Sequence, residues 1–173
     1  ISMDLKKEGN IILVIGKTEG HLDQSVFARE ILNEKKGPPP EINLFNEKNN
    51  GLAITKLNNK KLIESCHDIS LGGILIAISK MCLKGNKGVK MNKPKYLINT
   101  YEYLFSEDQG RYLIEVSKNK LKKVEELLDE NSIHYEQLGY VIEEKIEFSE
   151  KSNISIDELK KSNKQWLKQY MVN

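Results

Sequence analysis

From Ile69 to Leu83 the sequence is mostly apolar, interrupted by Lys80 and carrying the pair Gly72-Gly73. A helix running from Gly73 to Leu83 is apolar nearly all round, and such a helix is stable only when it is buried. The run falls short of the roughly 20 residues that cross a bilayer, so the rest of the chain has to bury it. A length of 173 residues can supply that core as one domain. A 39% hydrophobic share against 30% charged residues also argues for a packed chain rather than a disordered one.

Other segments supply the layers. Ile11 to Ile15 is a short apolar run that ends at Gly16 and reads as a buried strand. Helical spacing recurs between Ser25 and Lys35, at Val26, Phe27, Ile31 and Leu32. Gly37-Pro38-Pro39-Pro40 then forms a stiff connector. Asn43 to Leu57 suggests a second helix, weakened by Gly51. Leu62 to Cys66 reads as a strand, leading through a turn into the apolar helix, which Gly85 and Gly88 end. Val89 to Met91 is a short strand, and Tyr101 to Phe105 leads into a polar loop. Arg111 to Val116 alternates as a strand does, and Asn119 to Glu130 is amphipathic, with Leu121, Val124, Leu127 and Leu128 on one face. Tyr135 to Ile142 and Lys145 to Phe148 read as the arms of a hairpin, and Lys145 to Asn153 is the one segment with linker character. Ser155 with Glu158 resembles a capping box for a final helix, although Asp157 is an alternative cap. That helix carries Leu159, Trp166, Leu167 and Tyr170, and the Trp166–Tyr170 spacing suits core packing. The expectation is an α+β fold with a mixed sheet covered by helices.

Charge excludes some partners. With 27 basic and 25 acidic residues the net charge is +2, which gives no electrostatic case for nucleic acid or a membrane as principal partner. Cys66 and Cys82 lie in apolar stretches, and reduced, buried thiols in a cytoplasmic protein are expected. No His/Cys cluster has metal-ligand spacing. The start Ile1-Ser2-Met3-Asp4 has neither a secretory leader nor an initiator Met, which suggests residues 1–173 are one domain cut from a longer chain.

Three segments carry candidate chemistry. Gly16 to Ser25 is a polar stretch between a strand and a helix, where α/β proteins often hold ligands; Ser25 can equally be a simple helix cap. His67-Asp68-Ile69-Ser70-Leu71-Gly72-Gly73 joins a strand to the apolar helix. Its glycines admit close backbone approach, and the helix start favours an anion such as phosphate. There Asp68 orients His67 or caps the helix, and His67 is either the functional group or a hydrogen-bonded histidine under a turn. Phe105 to Tyr112 holds one of only two arginines, the other being Arg29. Arg111 either clamps a phosphate or carboxylate or pairs with Glu107 or Asp108 to fix the loop. His134 stands outside any polar constellation.

Taken together, these segments resemble the C-terminal domain of the phosphoribosylformylglycinamidine synthases, within the aminoimidazole ribonucleotide synthase-related superfamily. The resemblance rests on Gly-x-Thr-x-Gly-His-Leu-x-Gln-Ser at 16–25, Arg29-Glu30-Ile31, Gly37 to Pro40, His67 to Gly73, Phe105 to Tyr112, and the closing Leu159-Lys160, Trp166-Leu167 and Tyr170-Met171. Two positions depart from the pattern: Leu71 stands where the family commonly has Asp, and Asp23 where it often has Gly.

The resemblance implies one domain of an ATP-dependent carbon–nitrogen ligase of purine biosynthesis. In it, ATP activates formylglycinamide ribonucleotide, and ammonia from a glutaminase forms the amidine. It implies ATP and Mg2+ in the full-length enzyme, with no metal or cofactor ligands evident in these residues. It implies as partners the other domains of the same synthetase chain, a glutaminase subunit and a small bridging subunit. It also implies that this chain alone is inactive. His67 is the candidate catalytic residue, and Asp68, Ser70, Gly72, Gly73 and Arg111 are the candidate ligand- or phosphate-binding residues. Two other classes compete: a non-catalytic assembly or binding module, and a related phosphotransfer enzyme such as a selenophosphate synthetase or hydrogenase maturation factor. The Phe105–Tyr112 loop and the closing segment weigh against the latter.

Overall fold

The computed structural model describes residues 1–94, 99–149 and 152–172, with only the backbone at 166–169 and 172. Strand β1 (Ile11–Ile15) is buried along its whole length, so it must lie inside a sheet covered on both faces. Its neighbours are β4 (Arg111–Val116) and β5 (Tyr135–Ile142), both antiparallel to it. Beyond β4 lies the edge strand β2 (Ser65–Ile69). Beyond β5 lie β3 (Gly88–Met91), β6 (Lys145–Ser149) and β7 (Ser152–Ser155). The order is β2-β4-β1-β5-β3-β6-β7, with β3 and β6 parallel and the other pairs antiparallel.

Alternation along the central strands divides the core in two. Ile12, Val14 and Leu113 face a cluster with Ile74, Ile78, Met81 and Tyr103, contributed by α3 (Gly73–Gly85) and α4 (Thr100–Phe105). Ile11, Leu13, Ile15 and Ile114 face a second cluster with Ala53 and Leu57 of α2 (Leu44–Asn59) and Val124, Leu127 and Leu128 of α5 (Lys118–Glu130). Helix α1 (Val26–Glu30) is a short piece capped by the Ser25 hydroxyl, which accepts from the Ala28 amide at 3.0 Å. Helix α6 (Ile156–Val172) closes the chain. Ser155 caps it through a reciprocal pair with Glu158: the Glu158 amide donates to Ser155 Oγ, and the Ser155 amide donates to Glu158 Oε2. The fold is therefore α+β, a mixed sheet with helices on both faces.

Several expectations need correction. Strands β5 and β6 do not form a hairpin, because β3 lies between them and bonds to both. Two glycines make that insertion possible. A Cβ on Gly139 would sit 2.0 Å from the Lys90 carbonyl oxygen, and one on Gly88 would sit 2.0 Å from that of Lys145. The segment Lys145 to Asn153 is no linker, since it contributes the antiparallel pair β6–β7. Residues 100–105, expected only to lead into a loop, form α4, opened by an Asn99–Glu102 capping box. The first helix stops at Glu30, leaving Ile31 and Leu32 exposed. Tyr170 is exposed rather than packed, and the side chains of Trp166 and Leu167 lie outside the described ones.

Strand β2 lies three residues further on than its apolar run suggests, at Ser65–Ile69 rather than Leu62–Cys66. The polar pair His67-Asp68 is thus in the strand, tolerated there because β2 is an edge with one side partly open to water. Only Ser70, Leu71 and Gly72 turn the chain into α3.

Candidate functional site

The loop between α4 and β4 organises the polar end of the sheet. Arg111, at its base, is 1% exposed. Its Nε donates to the Asp108 carbonyl, Nη1 to Thr18 Oγ1 at 3.0 Å and Nη2 to the Ser106 carbonyl at 2.7 Å; Asp108 Oδ2 lies 3.7 Å from Nη1. Of the two roles open to Arg111, this geometry is the loop-fixing one. The guanidinium is closed off from solvent and joins the 105–111 loop to the 16–25 loop.

Two successive carboxylates in that loop reach opposite neighbours. Asp108 accepts from three consecutive amides: Oδ2 takes those of Glu19 at 3.0 Å and Gly20 at 3.1 Å, and Oδ1 takes that of His21 at 3.2 Å. Glu107 Oε1 accepts from the Val26 amide at the start of α1 and from the Gly72 amide at the start of α3, each at 2.8 Å. Consecutive amides and helix starts are the backbone features that hold anions in phosphate sites. Here the anions are the protein's own side chains, and they tie all three polar segments into one unit.

The Gly72-Gly73 pair has an internal explanation as well. Gly72 (φ +83°) and Gly73 (φ +67°) are both left-handed, and the Gly73 amide donates to the Ser70 carbonyl. A Cβ on Gly73 would meet backbone atoms of Leu104, Phe105 and Ser106 at 2.6–2.8 Å. The close approach at this glycine is made by the end of α4.

His67 and Asp68 stand on β2 with Nδ1 3.3 Å from Asp68 Oδ1. Burial is the main influence on His67 and lowers its pKa, aided by Lys80, while Asp68 pulls the other way. The imidazole is thus neutral near pH 7, and its Nε2 is buried without a hydrogen-bond partner. Asp68, Ser70 and Leu71 are exposed, with Leu71 at 61%. Opposite Asp68 on β4 lies Tyr112, whose hydroxyl pKa is raised by burial and then by Glu47, Cys66 and Asp68.

An accessible cleft lies next to this unit. The cleft, of about 1000 Å³, is lined by Lys17, Glu19 and His21 on one side, by Ile42, Asn46 and Glu47 on another, and by Asp108, Gln109 and His134. Of the candidate residues, His67, Asp68, Ser70, Gly72, Gly73 and Arg111 do not line it. The wall made by the start of α2 escaped sequence reading, because its apolar positions mimic a core helix. Its one legible signal is Asn50, a buried amide that donates to the Gly110 carbonyl. Among the described residues, no group of three His, Cys, Asp or Glu side chains can hold a metal ion. Among the described residues, no helix is long and apolar enough to cross a membrane.

The profile of the AIR synthase related protein C-terminal domain matches residues 7–151. The chain belongs to that family. Subunit PurL of the phosphoribosylformylglycinamidine synthase of Pelagibacter ubique is 62% identical over 173 residues, covering all of this chain and 24% of that protein. The fold also matches Thermotoga maritima PurL. In its complex with FGAR the TM-score is 0.74 at 21% identity, over 92% of this chain and 29% of that one. In its complex with ATP the TM-score is 0.68 at 20% identity, over 92% and 27%. The chain thus spans about a quarter of the length of the PurL proteins it matches.

Proposed function

We propose that this chain is the C-terminal domain of an ATP-dependent ligase of purine biosynthesis, the enzyme that converts formylglycinamide ribonucleotide and glutamine-derived ammonia to the amidine. The observation that carries the proposal is the 62% identity to a PurL subunit, sustained over every residue of the chain. On this reading ATP supplies the phosphoryl group that activates the amide oxygen; T. maritima PurL forms complexes with ATP and with FGAR. Mg2+ assists in the complete enzyme, and the cytoplasm is its compartment.

The residues present here do not fit the nucleotide phosphates or Mg2+ themselves. Both backbone anion seats are filled by Glu107 and Asp108, and the described residues offer no metal cluster. On this reading ATP and Mg2+ are held by other domains of the same synthetase chain. The glutaminase and the small bridging subunit complete the complex, consistent with the Pelagibacter relative being a synthase subunit.

Within the domain, Gly72 and Gly73 set the shape of the turn, and Arg111 fixes the 105–111 loop against the 16–25 loop. Asp68, Ser70 and Leu71 form its accessible rim, directed at ligand or at a neighbouring domain. His67 is the candidate proton-handling residue: Asp68 favours a proton on Nδ1 and leaves Nε2 a lone pair. The test is amidine formation from formylglycinamide ribonucleotide, ATP and ammonia, by the full-length enzyme and by this chain alone. The full-length enzyme should turn over and the chain should not. Activity in the chain, or its absence from the full-length enzyme, would sink the proposal. His67→Ala in the full-length enzyme separates the roles: a lower kcat with unchanged assembly supports proton handling, and altered assembly with normal kcat per folded molecule refutes it.

A further inference from the structure

The cleft beside the polar loops carries charge that the protein does not neutralise itself. Of its charged lining residues, Lys17 pairs with Glu19 at 2.9 Å, and Asp108 is held by three amides with Arg111 at 3.7 Å. Glu41 and Glu47 remain, and among the described residues neither carboxylate makes an ion pair or a hydrogen bond. Asn50 adds a neutral acceptor to the same wall. It is 7% exposed, and its Nδ2 donates to the Gly110 carbonyl at 2.9 Å, which fixes the orientation of the amide. Its Oδ1 then accepts from no donor among the described residues, yet it is not sealed from solvent. An amide so deeply buried with its oxygen unpaired is uncommon, and the cleft is the side from which a donor can reach it.

We infer that this cleft binds an aliphatic di- or polyamine. Protonated amines carry N–H donors and no acceptor, which matches an amide oxygen and two carboxylates that can only accept. Exposed carboxylates contribute little singly, so a methylene stem has to add contact, and Pro40, Ile42 and Leu44 in the lining supply apolar surface for it. A bare metal ion does not suit the cleft, because among the described residues no three His, Cys, Asp or Glu side chains converge. A phosphate or carboxylate ligand would meet two unpaired carboxylates of its own sign. The volume of about 1000 Å³ leaves room for a flexible chain with a cationic group at each end. His21 and His134 also line the cleft, and the Nε2 of His21 already lies 2.9 Å from the Pro38 carbonyl oxygen.

The test is calorimetric titration of spermidine into the full-length protein at pH 8, where imidazoles of ordinary pKa are neutral. The comparison ligand is the fully N-methylated, quaternary analogue, which keeps the charge and the stem but has no N–H. The parent should bind one spermidine saturably, and at least tenfold more tightly than the analogue. Glu41→Gln and Glu47→Gln together should weaken spermidine binding at least tenfold. Glu47→Gln alone, with an unchanged Tm, should weaken it at least threefold, and it serves where the double variant folds poorly. No saturable binding overturns the inference. So does binding that the two substitutions together, or methylation of the ligand, alter less than threefold. Amidine formation is not measured by the titration, so spermidine binding by a protein without that activity would refute the ligase reading alone.

Discussion

Replacing Gly73 with Ala separates packing from ligand approach at the turn into α3. The added methyl costs about 1–2 kcal/mol for a left-handed alanine, since φ is +67°. It also collides with backbone atoms of Leu104, Phe105 and Ser106 at 2.6–2.8 Å, and backbone held by α4 cannot rotate away as a side chain can. Overpacking of this kind costs a further ~1–3 kcal/mol, giving roughly 2–5 kcal/mol in all. For a chain of this size that is a fall in Tm of about 4–20 °C. Gly51→Ala is the control of opposite sign. Gly51 sits inside α2 with only the Tyr112 hydroxyl within reach, at 3.6 Å, so alanine should stabilise by about 0.5–1 kcal/mol. Thermal unfolding followed by circular dichroism measures both. If Gly73→Ala melts within about 2 °C of the parent while Gly51→Ala rises, internal packing is not why Gly73 is a glycine, and ligand approach becomes the better account.

Glu115 is fully buried and accepts from the amides of Lys6 and Lys7, from Asn10 Nδ2 and from Ser65 Oγ. Glu115→Ala strands these donors and should cost about 3–5 kcal/mol in urea unfolding, with residues 5–10 becoming the first site of proteolysis; a loss under about 1 kcal/mol would refute the role. For His67 the folded pKa lies below the ordinary 6.5. As pH falls below that value the unfolded chain takes up the proton first, so stability present above it is lost. His67→Gln should flatten that part of the stability–pH curve, and an unchanged slope would count against a buried neutral imidazole. Burial pushes the thiol of Cys66 up to about 11 and that of Cys82 up to about 12. Both should resist iodoacetamide at pH 8 until the protein unfolds, and fast native labelling of Cys82 would contradict its burial.

Local signals were readable wherever one side chain decides the outcome. The unbroken run Ile11–Ile15 marks a central strand, the 3.6-residue stripe of α5 marks a helix on the sheet, and Ser155 with Glu158 marks the start of α6. Long-range choices were not readable. Nothing between Ile142 and Lys145 announces that β3 will separate the strands they end, because Gly88 and Gly139 act only once three strands are assembled. The β2 boundary was misplaced because an edge strand may carry His67 and Asp68 where a central one may not. In α2, exposed Phe45 and Leu52 carry the same pattern as buried Ala53 and Leu57, and sequence does not say which face meets the core. The three polar segments were recognisable as a set, whereas the direction of their bonds, ligandward or inward, depended on where Glu107 and Asp108 point.

That direction bears on what the domain contributes. A phosphate entering the turn before α3 must displace Glu107 from the Gly72 amide, and one entering the 19–21 loop must displace Asp108 from three amides. Each carboxylate is held at the high effective concentration of a short tether, so a free anion competes poorly with it. Losing Glu107 would also release the start of α1, since the same oxygen accepts from Val26. The segments that give the family its signature therefore work in this chain as joints between loops. The groups left open are at the rim of the turn: Asp68, Ser70 and Leu71. The exposed Leu71 offers a cation nothing and suits an apolar contact. Of the two roles proposed above for the rim, Leu71 suits contact with a neighbouring domain, and the His67–Asp68 pair lies behind it, beyond Ile69 and Ser70.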